Sequence, residues 1–344
     1  MPIELNKTLV VAISATALFN LSESTKIFDE KSKSDPESAI DEYRKHMLEK
    51  EDDELEDGTG MPLVKALLNL NENLNDGDNP IVEVVIISRN SPETGFRVLK
   101  EIRRRNLPIT RSAFIAGEKS SIYLDAFYVD LFLTTNEEDA QDVIDSKVCA
   151  SALVKAPPKC VKPLDDKQVR FAFDADAVLF NETSEIINQT KGLKEFWSNE
   201  DENQNIPLPE EPYANLLKKL SKIQERLPGC VEYSPVKLAI MTARNSPAEM
   251  RVIKTLRAWN VYMDQAFFLG GLQKSRFLKA FKPHIFFDDQ DSHLEPAALD
   301  VPCAKVLYPS HSPLNEIIRN KTDKRQIKEI KSEIVSEQLP LTNQ

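Results

Sequence analysis

The chain has 344 residues, more than one compact domain usually holds, so two units, or one unit with large insertions, are expected. Hydrophobic residues make up 41% and charged residues 29%, which excludes a disordered composition, and no apolar stretch approaches the roughly 20 residues that span a bilayer. A formal net charge of −11 argues against a nucleic-acid polymer as ligand, because such proteins need a basic surface, yet a small phosphorylated molecule needs only a few cations in a focused site.

In chain order, residues 1–20 carry a short apolar run without a basic leader, which suits a first strand better than a signal peptide and predicts a cytoplasmic location. The acidic run Glu49–Asp57 reads as a solvated loop. Val84–Pro92 reads as a second strand and its turn, Arg97–Arg103 as part of a helix, and Ala113–Gly117 and Leu131–Thr135 as short strands. Prolines between Lys155 and Asp166 mark a boundary.

Beyond that boundary the chain repeats itself. Phe171–Asn181 aligns with Val11–Asn20 with one residue skipped, and Leu238–Pro247 aligns with Val84–Pro92 across a small gap. Arg251–Arg257, Phe267–Gly271 and Ile285–Asp289 then match Arg97–Arg103, Ala113–Gly117 and Leu131–Thr135. Each copy alternates strands with helical patterns, which predicts an α/β fold: two tandem, related, doubly wound units with parallel sheets. The predicted division is 1–150 for a first unit, 151–167 for a linker, 168–320 for a second unit and 321–344 for a charged tail. In the second unit Ser246-Pro247 reads as a helix start, with Val252, Ile253, Leu256 and Trp259 on its buried face. Cys149, Cys160, Cys230 and Cys303 have no C-x-x-C spacing and read as reduced packing residues, neither a zinc site nor a disulfide framework.

The copies differ at the strand ends, where α/β sheets bind ligands. Asp174 and Asp176 stand where the first copy has Ser14 and Thr16; Asp288 and Asp289 stand where it has Thr134 and Thr135. Lys274 replaces Ser120, and Thr242 matches Ser88. Only the second copy is therefore expected to be catalytic. Carboxylates at i and i+2 after a buried strand fall on one side of the chain and repel unless a cation lies near. Mg²⁺ suits that place, with a further acidic pair from another strand completing its shell. Lys274 is expected to neutralise the nucleophile and phosphoryl oxygens, and Thr242 to hydrogen-bond the transferring group.

The ordered set of strand-Asp-x-Asp, strand-Thr, Lys and strand-Asp-Asp resembles the haloacid dehalogenase superfamily. Within it, Phe173–Phe180, Met241–Arg244 and Lys282–Gln290 look closely like the cytosolic type I 5′-nucleotidases. The resemblance implies a Rossmann-like fold and a 5′-nucleotidase hydrolysing nucleoside 5′-monophosphates, with AMP favoured. It implies that Asp174 forms an aspartyl-phosphate and that Asp176 is its acid/base partner. It also implies Mg²⁺ on Asp174, the Asp176 carbonyl and Asp288 or Asp289, with Thr242, Ala243, Arg244 and Lys274 around the phosphate. For Arg244 an exposed salt bridge is the competing reading, and Lys279 and Lys282 are surface rivals of Lys274. A nucleoside diphosphate effector and a homo-oligomer also fit the resemblance.

Residues of about 182–233 are long enough for a small helical cap, whose later part, Tyr213–Gln224, is amphipathic. Phe196 and Trp197 are weighed as a base-stacking pair against simple packing. His284 and His293 flank the acidic pair as structural histidines. The alternatives are a phosphatase of another small phosphate, such as a sugar phosphate, and a non-catalytic nucleotide-sensing protein.

Overall fold

The computed structural model describes residues 5–74, 78–158, 167–227 and 233–321. The first half runs β1 (Leu9–Ile13), α1 (Ala15–Leu18), α2 (Ser22–Ser32), α3 (Pro36–Glu49), α4 (Met61–Asn69), β2 (Val82–Ser88) and α5 (Pro92–Arg104). It continues through β3 (Arg111–Phe114), α6 (Ser121–Leu124), β4 (Leu131–Thr134), α7 (Glu137–Ser146) and β5 (Ala150–Val154). The second half runs β6 (Val169–Phe173), α8 (Thr183–Lys191), α9 (Leu193–Glu202), α10 (Pro212–Arg226), β7 (Val236–Thr242) and α11 (Glu249–Ala258). It closes with β8 (Gln265–Phe268), α12 (Lys274–Phe281), β9 (Ile285–Asp288), α13 (Asp291–Ala297) and β10 (Cys303–Lys305).

The strands form one ten-stranded sheet in the order β3-β2-β1-β4-β5-β10-β9-β6-β7-β8. Every pairing is parallel except that of β5 with β10, where the halves meet. Strand order is the same in each half, and so is register: Val11 lies beside Val84 and Leu131, as Phe171 lies beside Leu238 and Ile285. The antiparallel joint turns the C-terminal ends of β1 and β6 toward opposite edges of the sheet.

Alternation along the strands decides the layers. Leu9, Val11 and Ile13, with Phe171 and Phe173, face a single core that spans both halves, while Val10 and Ala12 face one smaller cluster and Ala172 another. In the shared core Phe173 stacks on Phe287 at 5.2 Å between ring centres, and Tyr213 meets Phe287 edge-on at 5.5 Å. Such pairs prefer offset or edge contacts because ring faces are negative and ring edges positive.

Three expectations need adjustment. The boundary at residue 150 falls at the first residue of β5, because Ala150–Val154 is an apolar strand paired with Leu131–Thr134; the linker begins only after it. The helix expected at Ser246-Pro247 starts at Glu249, following a cis Ser246-Pro247 peptide and a turn in which Ala248 N–H donates to the Asn245 carbonyl. The amphipathic helix α10 does not stand above the sheet: Tyr213, Leu216, Leu217, Leu220 and Ile223 lie in the shared core. Among the described residues of the expected insertion, the helices α8 and α9 lie outside that core. The acidic run is solvated as expected, with surface pairs of Asp52 with Lys100 and Asp57 with Arg105. Cys149 and Cys303 are buried and free, as expected; Cys160, Cys230 and residues 322–344 of the tail lie outside the described residues. No helix among the described residues is long and apolar enough to cross a membrane.

Candidate active site

β6 ends at Phe173, and the next residue, Asp174, is fixed by its backbone N–H, which donates to the Phe287 carbonyl at 2.8 Å. The chain then makes a π-type turn over Ala175–Leu179 in which Asp176 leaves helical geometry and Ala177 takes φ 56°. For a residue with a Cβ that left-handed conformation costs about 1–2 kcal/mol, and π-type turns recur at functional sites. The turn ends when Phe180 bridges to Glu210.

Three neighbouring segments bring the remaining groups to Asp174. β9, adjacent to β6, delivers Asp288 and Asp289. β7, on the other side, delivers Thr242, whose hydroxyl accepts the Arg244 N–H at 3.2 Å. After β8 the chain reverses through Gly270 and Gly271 at φ 55° and 87°, values glycine adopts freely. That reversal sets Lys274 at the start of α12, 2.9 Å from Asp174 Oδ1 and 2.6 Å from Asp288 Oδ2. Asp174, Lys274, Asp288 and Asp289 are all buried.

Electrostatics follow from that burial. Desolvation lifts the Asp174 carboxyl to about 6, with Asp288 and Asp176 adding repulsion against the pull of Lys274. Burial also drives Asp289 well above the carboxylate range, with Asp288 and Asp174 next in effect. Burial opposes ionisation of Asp288 too, but Lys274 and His293 hold it below its usual value. For Lys274 the desolvation penalty is outweighed by Asp174 and Asp288, so its ammonium is held protonated.

The donor set fits a hard cation. Asp174, Asp288 and His293 each offer one ligand atom within 4.8 Å of one another. Asp289 Oδ1 is buried without a hydrogen-bond partner, while its Oδ2 is taken by the Tyr308 hydroxyl. Carboxylates closing on one point, with an acceptor left over, are what a divalent cation with oxygen ligands requires. His293 Nδ1 lies 3.2 Å from Asp288 Oδ2, where it orients that carboxylate.

Of the two readings of Arg244, phosphate ligand or exposed salt bridge, burial changes the second. Arg244 is 3% exposed, so the exposed salt bridge is instead a buried one. Its Nε and Nη2 donate to the two Asp176 oxygens at 2.8 and 2.6 Å, and its Nη1 donates to Glu200. Ala243 is exposed in the same loop. Lys279 pairs with Asp300 at 2.9 Å and Lys282 caps α12, both on the surface. Phe196 packs beneath the Arg244 guanidinium at 5.1 Å, and the Trp197 indole N–H donates to Asn245 at 3.1 Å, so both serve the loop after β7. His284 is structural, its Nδ1 accepting the Arg170 N–H at 3.0 Å.

His293, read from the sequence as a structural histidine, stands in this constellation, five residues after Asp288 at the head of a helix. Tyr308 and Glu200 escaped the sequence and carried no signal, since each comes from a segment that only the fold brings near.

The fold and site define an α/β protein with a buried carboxylate–lysine cluster at the C-terminal ends of parallel strands. A family model described as 5′-nucleotidase matches residues 1–313, and the chain belongs to that family. Cytosolic 5′-nucleotidase 1B of Homo sapiens is 30% identical over 298 residues, which cover 84% of this chain and 47% of that protein. The chain thus spans about half the length of that relative. No solved structure shows a significant match.

Proposed function

We propose that the chain is a Mg²⁺-dependent phosphatase of nucleoside 5′-monophosphates, AMP foremost, acting in the cytoplasm. The observation that carries this is Asp174, buried at a strand end with Lys274 at 2.9 Å, two residues before an Asp176 gripped by Arg244. Family membership and the name of the human relative support the substrate class.

In this reading Asp174 attacks phosphorus while the bond to the ribose 5′-oxygen breaks, and Asp176 gives that oxygen a proton carried on a lone pair that Arg244 leaves free. Water then attacks the aspartyl-phosphate, Asp176 takes a proton back, and the bond between Asp174 and phosphorus breaks. Lys274 meets the phosphoryl oxygens, with Thr242 and the Ala243 backbone beside them. Asp174, Asp288 or Asp289 and the Asp176 carbonyl would hold Mg²⁺, which supplies positive charge to the phosphoryl group.

The two halves are read as tandem copies. The first supports the second, or serves as a subunit-contact surface or as the seat of a nucleoside diphosphate effector. The test is phosphate release from a panel of nucleotides and sugar phosphates, with and without Mg²⁺ and with added nucleoside diphosphate. Turnover of sugar phosphates alone rejects the substrate class, and undiminished turnover in chelator rejects the metal. A rate indifferent to the diphosphate rejects the effector.

A further inference from the structure

Glu200, on α9, has no exposed surface. It accepts from Ser184 Oγ at 2.8 Å, from Arg251 Nη1 at 3.0 Å and from Arg244 Nη1. The opposite edge of the same guanidinium holds both oxygens of Asp176. Phe196, one helical turn before Glu200, lies against the guanidinium face, and Trp197 holds the next residue, Asn245. α9 therefore grips residues 244 and 245 at three points. The chain Asp176, Arg244, Glu200, Arg251 balances two acids with two bases.

The first half supplies an internal control. Ala116 N–H donates to the Asn90 carbonyl at 3.0 Å, as Gly270 N–H donates to that of Arg244 at 3.3 Å, so Asn90 holds the corresponding place. Asn90 also reaches the helices inserted after the first strand, donating to the Tyr43 hydroxyl of α3 at 2.8 Å. Both halves thus tie an inserted helix to the loop beyond the second strand. Only the half with an acid at Asp176 extends that tie through a fixed ion chain; in the other, Thr16 bonds with Ser14 and Thr135.

We propose that Glu200 is a positioning residue: it anchors the Arg244 guanidinium from the inserted helices, and Arg244 in turn orients the Asp176 carboxylate toward the leaving oxygen. A planar guanidinium bound along two edges cannot swing, so both carboxylate oxygens keep their direction. The proposal rests on Asp176 being the acid in the reaction proposed above.

The test uses the full chain with Mg²⁺ and two esters, a nucleoside 5′-monophosphate and p-nitrophenyl phosphate, whose phenolate leaves without needing a proton. Glu200→Gln is expected to lower kcat/KM for the nucleotide by about 10²-fold, the lower end for lost general acid catalysis, and for the nitrophenyl ester no more than a few-fold. The ratio of the two rates is independent of the fraction folded. Ser184→Ala, a milder change, should shift it a few-fold in the same direction, and decides the matter if Glu200→Gln does not fold. Equal effects on both esters, or none, overturn the positioning role. Asp176→Asn checks the underlying assignment separately: without a leaving-group split there, it is the acid assignment that fails.

Discussion

The ends of β1 and β6 are the same place in two halves of one sheet, and they are finished in opposite ways. At the end of β1, Ser14, Thr16 and Thr135 join in hydrogen bonds, and Ser14 also caps α1. At the end of β6 the matching positions are Asp174, Asp176 and Asp289, and one oxygen of Asp289 is left over. Backbone anchoring is unchanged: Ser14 N–H donates to Leu133 at 2.9 Å, as Asp174 N–H donates to Phe287 at 2.8 Å. The frame therefore needs no charge here, and the hydroxyl version closes on itself. Buried acids, which oppose folding unless paired, are retained where chemistry is expected.

The strongest way to break the comparison is to neutralise one acid and its hydroxyl counterpart. Asp174→Asn should lower phosphate release by about 10³-fold or more, the scale of losing a nucleophile, while Ser14→Ala should leave the rate within about twofold. Near-equal effects would remove the distinction between the halves. Next in size is the cation. Lys274→Met leaves Asp174 and Asp288 buried without their shared ammonium, and in metal-free protein should cost about 3–5 kcal/mol in denaturant unfolding. Ser120→Ala, its counterpart, removes a buried hydroxyl that makes no hydrogen bond and should change stability by less than about 1 kcal/mol.

Much of this comparison was legible in the sequence, because strand ends repeat as short apolar runs followed by fixed polar positions. The offset between Ser120 and Lys274, or between Thr134 and Asp288, equals that between Leu131 and Ile285. Helices were harder. The stripe of α10 is written the same way whether it faces a sheet or a cap, and only packing on both halves decides. The partners of Arg244 were hidden for a related reason: ion pairs between distant segments leave no periodicity, so Glu200 looked like one acid among many.

pH probes the same contrast in milder form. Without metal, the folded protein holds the Asp174 proton more tightly, since its carboxyl titrates near 6 against 3.8 unperturbed. The unfolded chain therefore binds fewer protons between about pH 4 and 6, and stability falls as pH rises through that window. Asp289, also raised, carries the decline further, whereas the lowered Asp288 contributes stability that is lost only on acidification. Thermal unfolding should show Tm dropping from pH 4 to 6, with a shallower drop in Asp174→Asn and in the presence of Mg²⁺. The hydroxyl cluster at β1 adds nothing to this slope. A flat profile in the metal-free wild type would mean that the acids are solvated or already paired.

The smallest effect concerns the one residue by which the two turns differ in length. After β1 the chain makes an ordinary helical turn over Ala15–Leu18, whereas after β6 the extra residue produces the π-type turn with Ala177 at φ 56°. Glycine should therefore act with opposite sign at the two sites. Ala17→Gly removes a buried methyl and frees a helical backbone, and should destabilise by about 1–2 kcal/mol. Ala177→Gly relieves a left-handed residue and should stabilise by up to about 1 kcal/mol, less the greater freedom of glycine in the unfolded chain. The measurement is a pair of denaturant curves with unchanged m-values. Because Ala177 follows Asp176 directly, phosphate release from the same protein shows whether the constrained turn helps to hold the acid. A more stable Ala177→Gly protein with a slower rate would place that constraint in the service of Asp176, and one with an unchanged rate would assign the holding to Arg244 alone.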